Sequence, residues 1–137
     1  DWKRLQCCGL PMISYWKESG AGKLNEFFLR SNDISFPERI FVDTNALMVK
    51  LVAEGVGWAF TRPTTVLQNL PLLPEITVAQ MQKPDLSRTV YLMGRESEFV
   101  DEAKHLEAIA RDVVVHDILP KVLTFAPWVE GRFYVAP

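Results

Sequence analysis

The stretch from Asp43 to Phe60 constrains the fold more than any other part of this chain. A strand end, a helix, a glycine turn and a second strand follow one another there. Asp43 or Thr44 can accept a hydrogen bond from the backbone N–H groups left free where a helix starts. Ala46, Leu47, Val49, Leu51, Val52 and Ala53 then fill most of the face turned to a sheet. Gly55 stands where the helix must stop, because glycine adopts the left-handed closing conformation without steric cost. Val56 to Phe60 has the apolar continuity of a strand covered on both faces. The whole is a βαβ-like unit, the kind of junction at which α/β proteins bind small ligands.

On the amino side, Leu10 to Tyr15 reads as a first strand and Glu18 to Gly22 as a turn. Lys23 to Arg30 is expected to be a helix with Leu24, Phe27 and Phe28 facing inward. Ser31 to Arg39 is a connector containing Pro37, and Ile40 to Val42 resumes as a strand. On the carboxyl side, Pro63 suits a helix start and gives a short helix to Gln68. Pro71, Pro74 and Pro84 frame an expected strand around Glu75 to Ala79, and Thr89 to Gly94 reads as a buried strand. Phe99, Ala103, Leu106, Ala110 and Val113 recur at helical spacing and predict a long helix from Glu98 to Val115. Glu107 and Arg111 lie four apart on its outer face and can pair. Asp117 to Phe125 is expected to form one more helix, interrupted early by Pro120, and Trp128 to Pro137 has strand composition. The chain is expected to enter its first strand abruptly, as a fragment of a larger protein would.

Hydrophobic residues are 48% of the 137 and charged residues 23%, the balance of an ordered globular chain. A net charge of −2 gives no basic footprint for nucleic acid. No apolar run approaches the roughly 20 residues needed to span a bilayer. Asp1-Trp2-Lys3-Arg4 is not followed by an apolar signal region, so no secretory signal is read. Cys7 and Cys8 are adjacent, a spacing that strains a disulfide, and no second Cys or His pair stands at zinc-ligand spacing. Reduced thiols and a cytoplasmic location are the expectation.

Motifs for catalysis and cofactors are missing from the sequence. His105 and His116 have no adjacent nucleophile or metal partner and read as surface residues. Ser19-Gly20-Ala21-Gly22-Lys23 lacks the first glycine of a phosphate loop and the Ser/Thr after its lysine. Gly55-Val56-Gly57 lacks the third glycine of the dinucleotide fingerprint and follows a helix instead of preceding one. The expectation is a non-enzyme with no catalytic residue, cofactor or metal. What remains is a set of polar residues at strand ends and helix starts: Ser14, Trp16, Thr44, Thr61 and Arg62. Helix-start N–H groups favour anions, and the Arg62 guanidinium is a fork suited to a carboxylate. The plain alternative is that Thr44 only caps a helix and Arg62 is only a solvated loop charge.

The pattern from Asp43-Thr44 through Leu51-Val52-Ala53-Glu54-Gly55-Val56-Gly57-Trp58-Ala59 resembles the "lVaaGlGia" segment of LysR-type transcriptional regulators. Leu10 to Tyr15 is similar to the strand that opens the second lobe of their effector domain. Leu86-Ser87-Arg88-Thr89-Val90-Tyr91-Leu92 is similar to the strand returning to the first lobe, and the long helix and Pro127-Trp128 to the end of that domain. The resemblance covers nearly the whole chain, in order and spacing.

It implies an α/β, periplasmic-binding-protein-like (type 2) two-lobed fold. Residues 1–78 would be the second lobe and 79–137 the C-terminal part of the first. A small, anionic effector would sit between the lobes, with Ser14, Trp16, Thr44, Gly57, Trp58, Thr61 and Arg62 on the second-lobe wall. Arg62 stands where many members have an apolar residue, and Trp58 where many have a smaller aliphatic one. DNA would be reached only through a helix-turn-helix domain outside this chain, and the domain would form homo-oligomers. A solute-binding protein of a transporter, with the same fold, is the alternative.

Overall fold

The computed structural model describes residues 1–81, 86–93 and 99–135. They form two compact units, Asp1–Leu86 and Ser87–Pro137.

The first unit is α/β. Strands β1 (Met12–Tyr15), β2 (Arg39–Val42) and β3 (Trp58–Ala59) form a parallel sheet in the order β2-β1-β3. Met12 lies beside Arg39 on one side and Trp58 on the other, and Tyr15 beside Val42. All four residues of β1 are buried, because successive side chains enter different layers. Met12 packs with Trp2, Phe28, Leu29 and Phe36, whereas Ile13 and Tyr15 pack with Val42 and Met48. The helices behind these layers are α1 (Trp2–Gln6) and α2 (Gly20–Ser31) on one face, and α3 (Asn45–Ala53) on the other. Complete burial of side chains such as Met12, Ile13 and Met48 stabilises the fold by about 1.5–3 kcal/mol each.

Helix α1 was not legible as a helix in the sequence. The Asp1 carboxylate accepts a hydrogen bond from the Lys3 N–H at 3.0 Å, and this brings Trp2 against Phe28, Phe36 and Phe60. Helix α2 starts earlier than expected. Ser19 Oγ accepts from Gly22 N–H at 3.0 Å, so Gly20 to Gly22 are its first turn. Leu29 faces the core in place of Phe27, which is 70% exposed. In α3, Met48 and Val49 are buried while Leu47 is 47% exposed. In both helices, spacing defines an apolar arc, and the position of neighbouring elements decides which part of that arc is covered.

Helix α3 closes as expected. Gly55 has φ +72°, the Gly55 N–H donates to Val52 O, and the Val56 N–H donates to Leu51 O. Those paired bonds are a Schellman closure and satisfy carbonyls that the helix end would leave open. Strand β3 is shorter than the expected Val56–Phe60 and only half-buried. Pro63 opens α4 (Pro63–Leu67), close to the expected helix. A 3-10 helix, Leu70–Glu75, follows. The expected strand at Glu75–Ala79 does not form. Pro71 and Pro74 fix φ near the tight-turn value and remove N–H donors, which suits short 3-10 turns.

In the second unit, Val90, Tyr91, Leu92 and Met93 are exposed and unpaired, so the buried strand expected over Thr89–Gly94 is not present in its described part; Gly94 lies outside the described residues. Apolar continuity marks a segment that a sheet could bury but does not supply the adjoining strand. Helix α5 (Val100–Val113) occupies the expected long helix, whose proposed start at Glu98 also lies outside the described residues. It runs into a π-helical turn, Val114–Ile118, and then α6 (Leu119–Leu123). Pro120 therefore does not separate two helices. The widened turn, in which the Leu119 N–H donates to Val114 O, accommodates a ring that would clash with an ordinary preceding turn. Glu107 and Arg111 pair at 3.1 Å as expected. Pro127–Val129 is a 3-10 turn, and no strand forms from Trp128 to Val135; Ala136 and Pro137 lie outside the described residues.

Candidate functional site at the strand ends

The strand order places β1 between β2 and β3, although the chain visits β2 between the other two. Helix α2 connects β1 to β2 and helix α3 connects β2 to β3. The connection leaving β1 runs to β2 on one side, β3 leads on into α4, and the carboxyl ends of the strands are where open α/β sheets take ligands.

Tyr15, the last residue of β1, organises that end. Its hydroxyl lies 2.7 Å from Asn45 Oδ1, 3.1 Å from Thr61 Oγ1 and 3.2 Å from Thr65 Oγ1. Thr61 Oγ1 donates to Thr65 Oγ1 at 3.0 Å, and Asn45 Nδ2 donates to Gln68 Oε1 at 2.5 Å. Each hydroxyl has one proton. A consistent direction runs from Thr61 to Thr65, to Tyr15, to Asn45 and on to Gln68. This relay ties the end of β1 to the starts of α3 and α4. The Arg62 guanidinium lies over the Tyr15 ring, 5.9 Å from its centroid. That contact holds a half-buried cation beside the strand end while its N–H fork remains a carboxylate donor.

The sequence-derived candidates occupy several environments. Thr61 and Arg62 meet at Tyr15, as described. Thr44 is exposed and caps α3, with the Leu47 N–H donating to Thr44 Oγ1 at 3.2 Å; the next residue, Asn45, reaches Tyr15. Trp16 is 53% exposed and sets its ring edge against Phe41, 5.9 Å between centroids. Ser14 is fully buried, and its Oγ has no hydrogen-bond partner among the described residues.

Gly57 and Trp58 lie at the other end of β1. A Cβ on Gly57 would stand 2.3 Å from Pro11 O, and the Trp58 N–H donates to that carbonyl. The Trp58 ring packs edge-on against Phe36 at 4.7 Å. Tyr15, Asn45, Thr65 and Gln68 were not singled out in the sequence. The Thr61/Thr65 spacing of one helical turn, beside a strand-ending tyrosine, was the available signal.

The loop between β1 and α2 is tightly wound. Ser19 Oγ donates to Trp16 O at 2.8 Å, and a Cβ on Gly22 would meet that carbonyl at 2.0 Å. An open groove of about 660 Å³ lies along α2 and β2, lined by Lys17, Glu26, Arg30, Asp33, Arg39 and Phe41 among others. It contains none of the candidates above. Its wall is held by the Arg39–Glu26 ion pair and by Arg39 Nε donating to Phe36 O at 3.0 Å.

His116 pairs with Asp112 at 2.9 Å, not with its neighbour Asp117, which pairs with Lys121. Cys7 and Cys8 are free and exposed. Among the described residues no group of His, Cys, Asp and Glu could hold a metal ion, and no helix is long and apolar enough to cross a membrane. The chain matches no family model, no characterised protein and no solved structure in the comparisons made.

Proposed function

We propose that this chain is the effector-sensing part of a LysR-type transcriptional regulator in the cytoplasm, binding a small anionic metabolite at the carboxyl ends of β1 and β3. The carrying observation is the convergence of Thr61 and Arg62 on Tyr15 at that edge. The Arg62 guanidinium, held beside this relay, can recognise a carboxylate without needing a nucleophile or a base. The resemblance described from the sequence supplies the biological role. On this reading the fold is two-lobed and periplasmic-binding-protein-like. The chain acts as a homodimer and is not an enzyme, and binding shifts a conformational equilibrium that a separate helix-turn-helix domain transmits to DNA.

Calorimetry with a panel of small mono- and dicarboxylates tests the binding arm. At least one should bind, and Arg62→Ala should weaken it by about tenfold or more, the value of a charge-assisted hydrogen bond. Affinity unchanged by Arg62→Ala would remove the proposed site. The sequence encoded upstream of Asp1 tests the role. A helix-turn-helix within about 150 residues, one domain by the usual length prior, supports the regulator. A signal peptide there favours the transporter protein instead.

A further inference from the structure

The hydroxyl relay at Tyr15 has a polarity that sets what its open end can do. Tyr15 has one O–H proton, and Asn45 Oδ1 takes it at 2.7 Å. Asn45 Nδ2 in turn donates to Gln68 Oε1. The Tyr15 oxygen is left as an acceptor, and Thr65 Oγ1, 3.2 Å away, donates to it. Thr65 receives the Thr61 proton at 3.0 Å. The 3.1 Å approach between Thr61 Oγ1 and the Tyr15 hydroxyl then carries no proton, because both are committed elsewhere. Every proton in the relay is directed away from Thr61. The Thr61 oxygen keeps its lone pairs, and no group among the described residues donates to it.

We propose that the acid recognised at this edge is a hydroxycarboxylate, with its carboxylate on Arg62 and its hydroxyl donating to Thr61 Oγ1. This rests on the effector reading and narrows it. Thr61 and Arg62 are adjacent in sequence, both half-buried, and both brought to Tyr15. A carboxylate oxygen set against Thr61 would oppose two acceptors, whereas an O–H beside the carboxylate complements it. Turning the Thr61 proton outward would take it from Thr65, which is 1% exposed and has no water to replace it. A hydroxyl suits the site better than an ammonium group. Tyr15, Asn45, Thr61, Thr65 and Gln68 include no acid, and the charge held beside them is the Arg62 cation, which repels a second positive charge.

Calorimetry on the 137-residue chain with paired acids tests this: malate against succinate, and lactate against propionate. The hydroxy acid of a pair should bind about tenfold tighter, the value of one hydrogen bond. Only the ratio within a pair is read, so a change that shifts both affinities alike does not enter. Thr61→Val removes the acceptor and should bring the pair to equal affinity, while Thr61→Ser should keep the preference. Gln68 is exposed and lies at the far end of the relay. Gln68→Lys replaces its acceptor with a donor, which turns the Asn45 amide, reverses the relay and makes Thr61 present a proton. The hydroxyl preference should then vanish, whereas Gln68→Glu, which still accepts from Asn45, should retain it.

Pairs that bind the wild type equally, with Arg62→Ala weakening both members, would overturn the hydroxyl assignment and leave the carboxylate reading standing. Affinities unchanged by Arg62→Ala, or no binding by any of the four acids, would overturn the assignment together with the site. Aspartate binding more tightly than malate would put an ammonium group at Thr61 and not a hydroxyl. A preference that survives Thr61→Val would show that the hydroxyl is read elsewhere, and one that survives Gln68→Lys would show that the relay does not set it.

Discussion

The Tyr15 hydroxyl donates to Asn45 Oδ1 across 2.7 Å, joining the last residue of the central strand to the first residue of the helix that follows its neighbour. These residues are 30 apart in sequence. The bond fixes the spacing between β1 and α3 at the edge where the candidate site lies, and links local geometry there to the stability of the whole unit.

Tyr15→Phe should therefore destabilise the first unit by about 2 kcal/mol, because Asn45 and Thr65 lose a buried partner without gaining water. Thr61→Val should cost less, since Thr65 keeps Tyr15. Denaturant titration of both variants checks the order. Equal losses would mean that the relay does not run through Tyr15.

Gly57→Ala should be strongly destabilising, by about 3 kcal/mol, since its Cβ meets the Pro11 carbonyl and neither backbone can yield cheaply. Gly20→Ala is the contrasting case. A Cβ there meets nothing within 4 Å, and the change should be neutral or stabilising by about 0.5 kcal/mol. Thermal unfolding of the pair distinguishes steric demand from a general intolerance of glycine replacement.

Thr44 can be separated into its two readings. As a cap, Thr44→Ala should cost about 1 kcal/mol and Thr44→Ser almost nothing. If Thr44 also holds the effector, Thr44→Ala should weaken carboxylate binding beyond that stability loss. Calorimetry at a temperature where both variants are fully folded gives the answer.

The Glu54 carboxyl titrates below its ordinary range, first because Lys50 donates it a hydrogen bond and then because of the lysine charge. Lys50 Nζ and Glu54 Oε1 are 2.5 Å apart. The folded chain binds this proton less readily than the unfolded one. The pair's stabilisation is thus present above the unfolded carboxyl pKa and is lost as pH falls through the folded value. Both groups are exposed, so the contribution is small and salt weakens it. In an NMR titration, Lys50→Met should move the Glu54 midpoint upward. A midpoint that stays in place would show that Lys50 is not its cause.

Much of the first unit was legible because its signals are local. Thr44 caps α3, Gly55 closes it and Pro63 opens α4, and each follows from backbone chemistry within a few residues. Helix α1 was missed because five residues carry too little periodicity to show a helix. The site was half legible. Thr61 and Arg62 stood out as polar residues at a strand end, whereas Tyr15 reads as core until its hydroxyl is seen to meet four-residue-spaced threonines. Gly57 and Trp58, adjacent in sequence to that edge, belong to its far end because a strand advances about 3.3 Å per residue.

By itself the sequence determined the α/β character of the first unit, its helix caps and closures, and the polar residues placed at element ends. Those depend on hydrogen bonds and steric limits spanning a turn or less. Tertiary structure alone decided the strand order β2-β1-β3, the burial of Leu29 in place of Phe27, and the exposure of Val90 to Met93. These depend on which surfaces meet across long loops. An apolar residue favours leaving water equally against any neighbour, so its sequence position cannot name the one it will have.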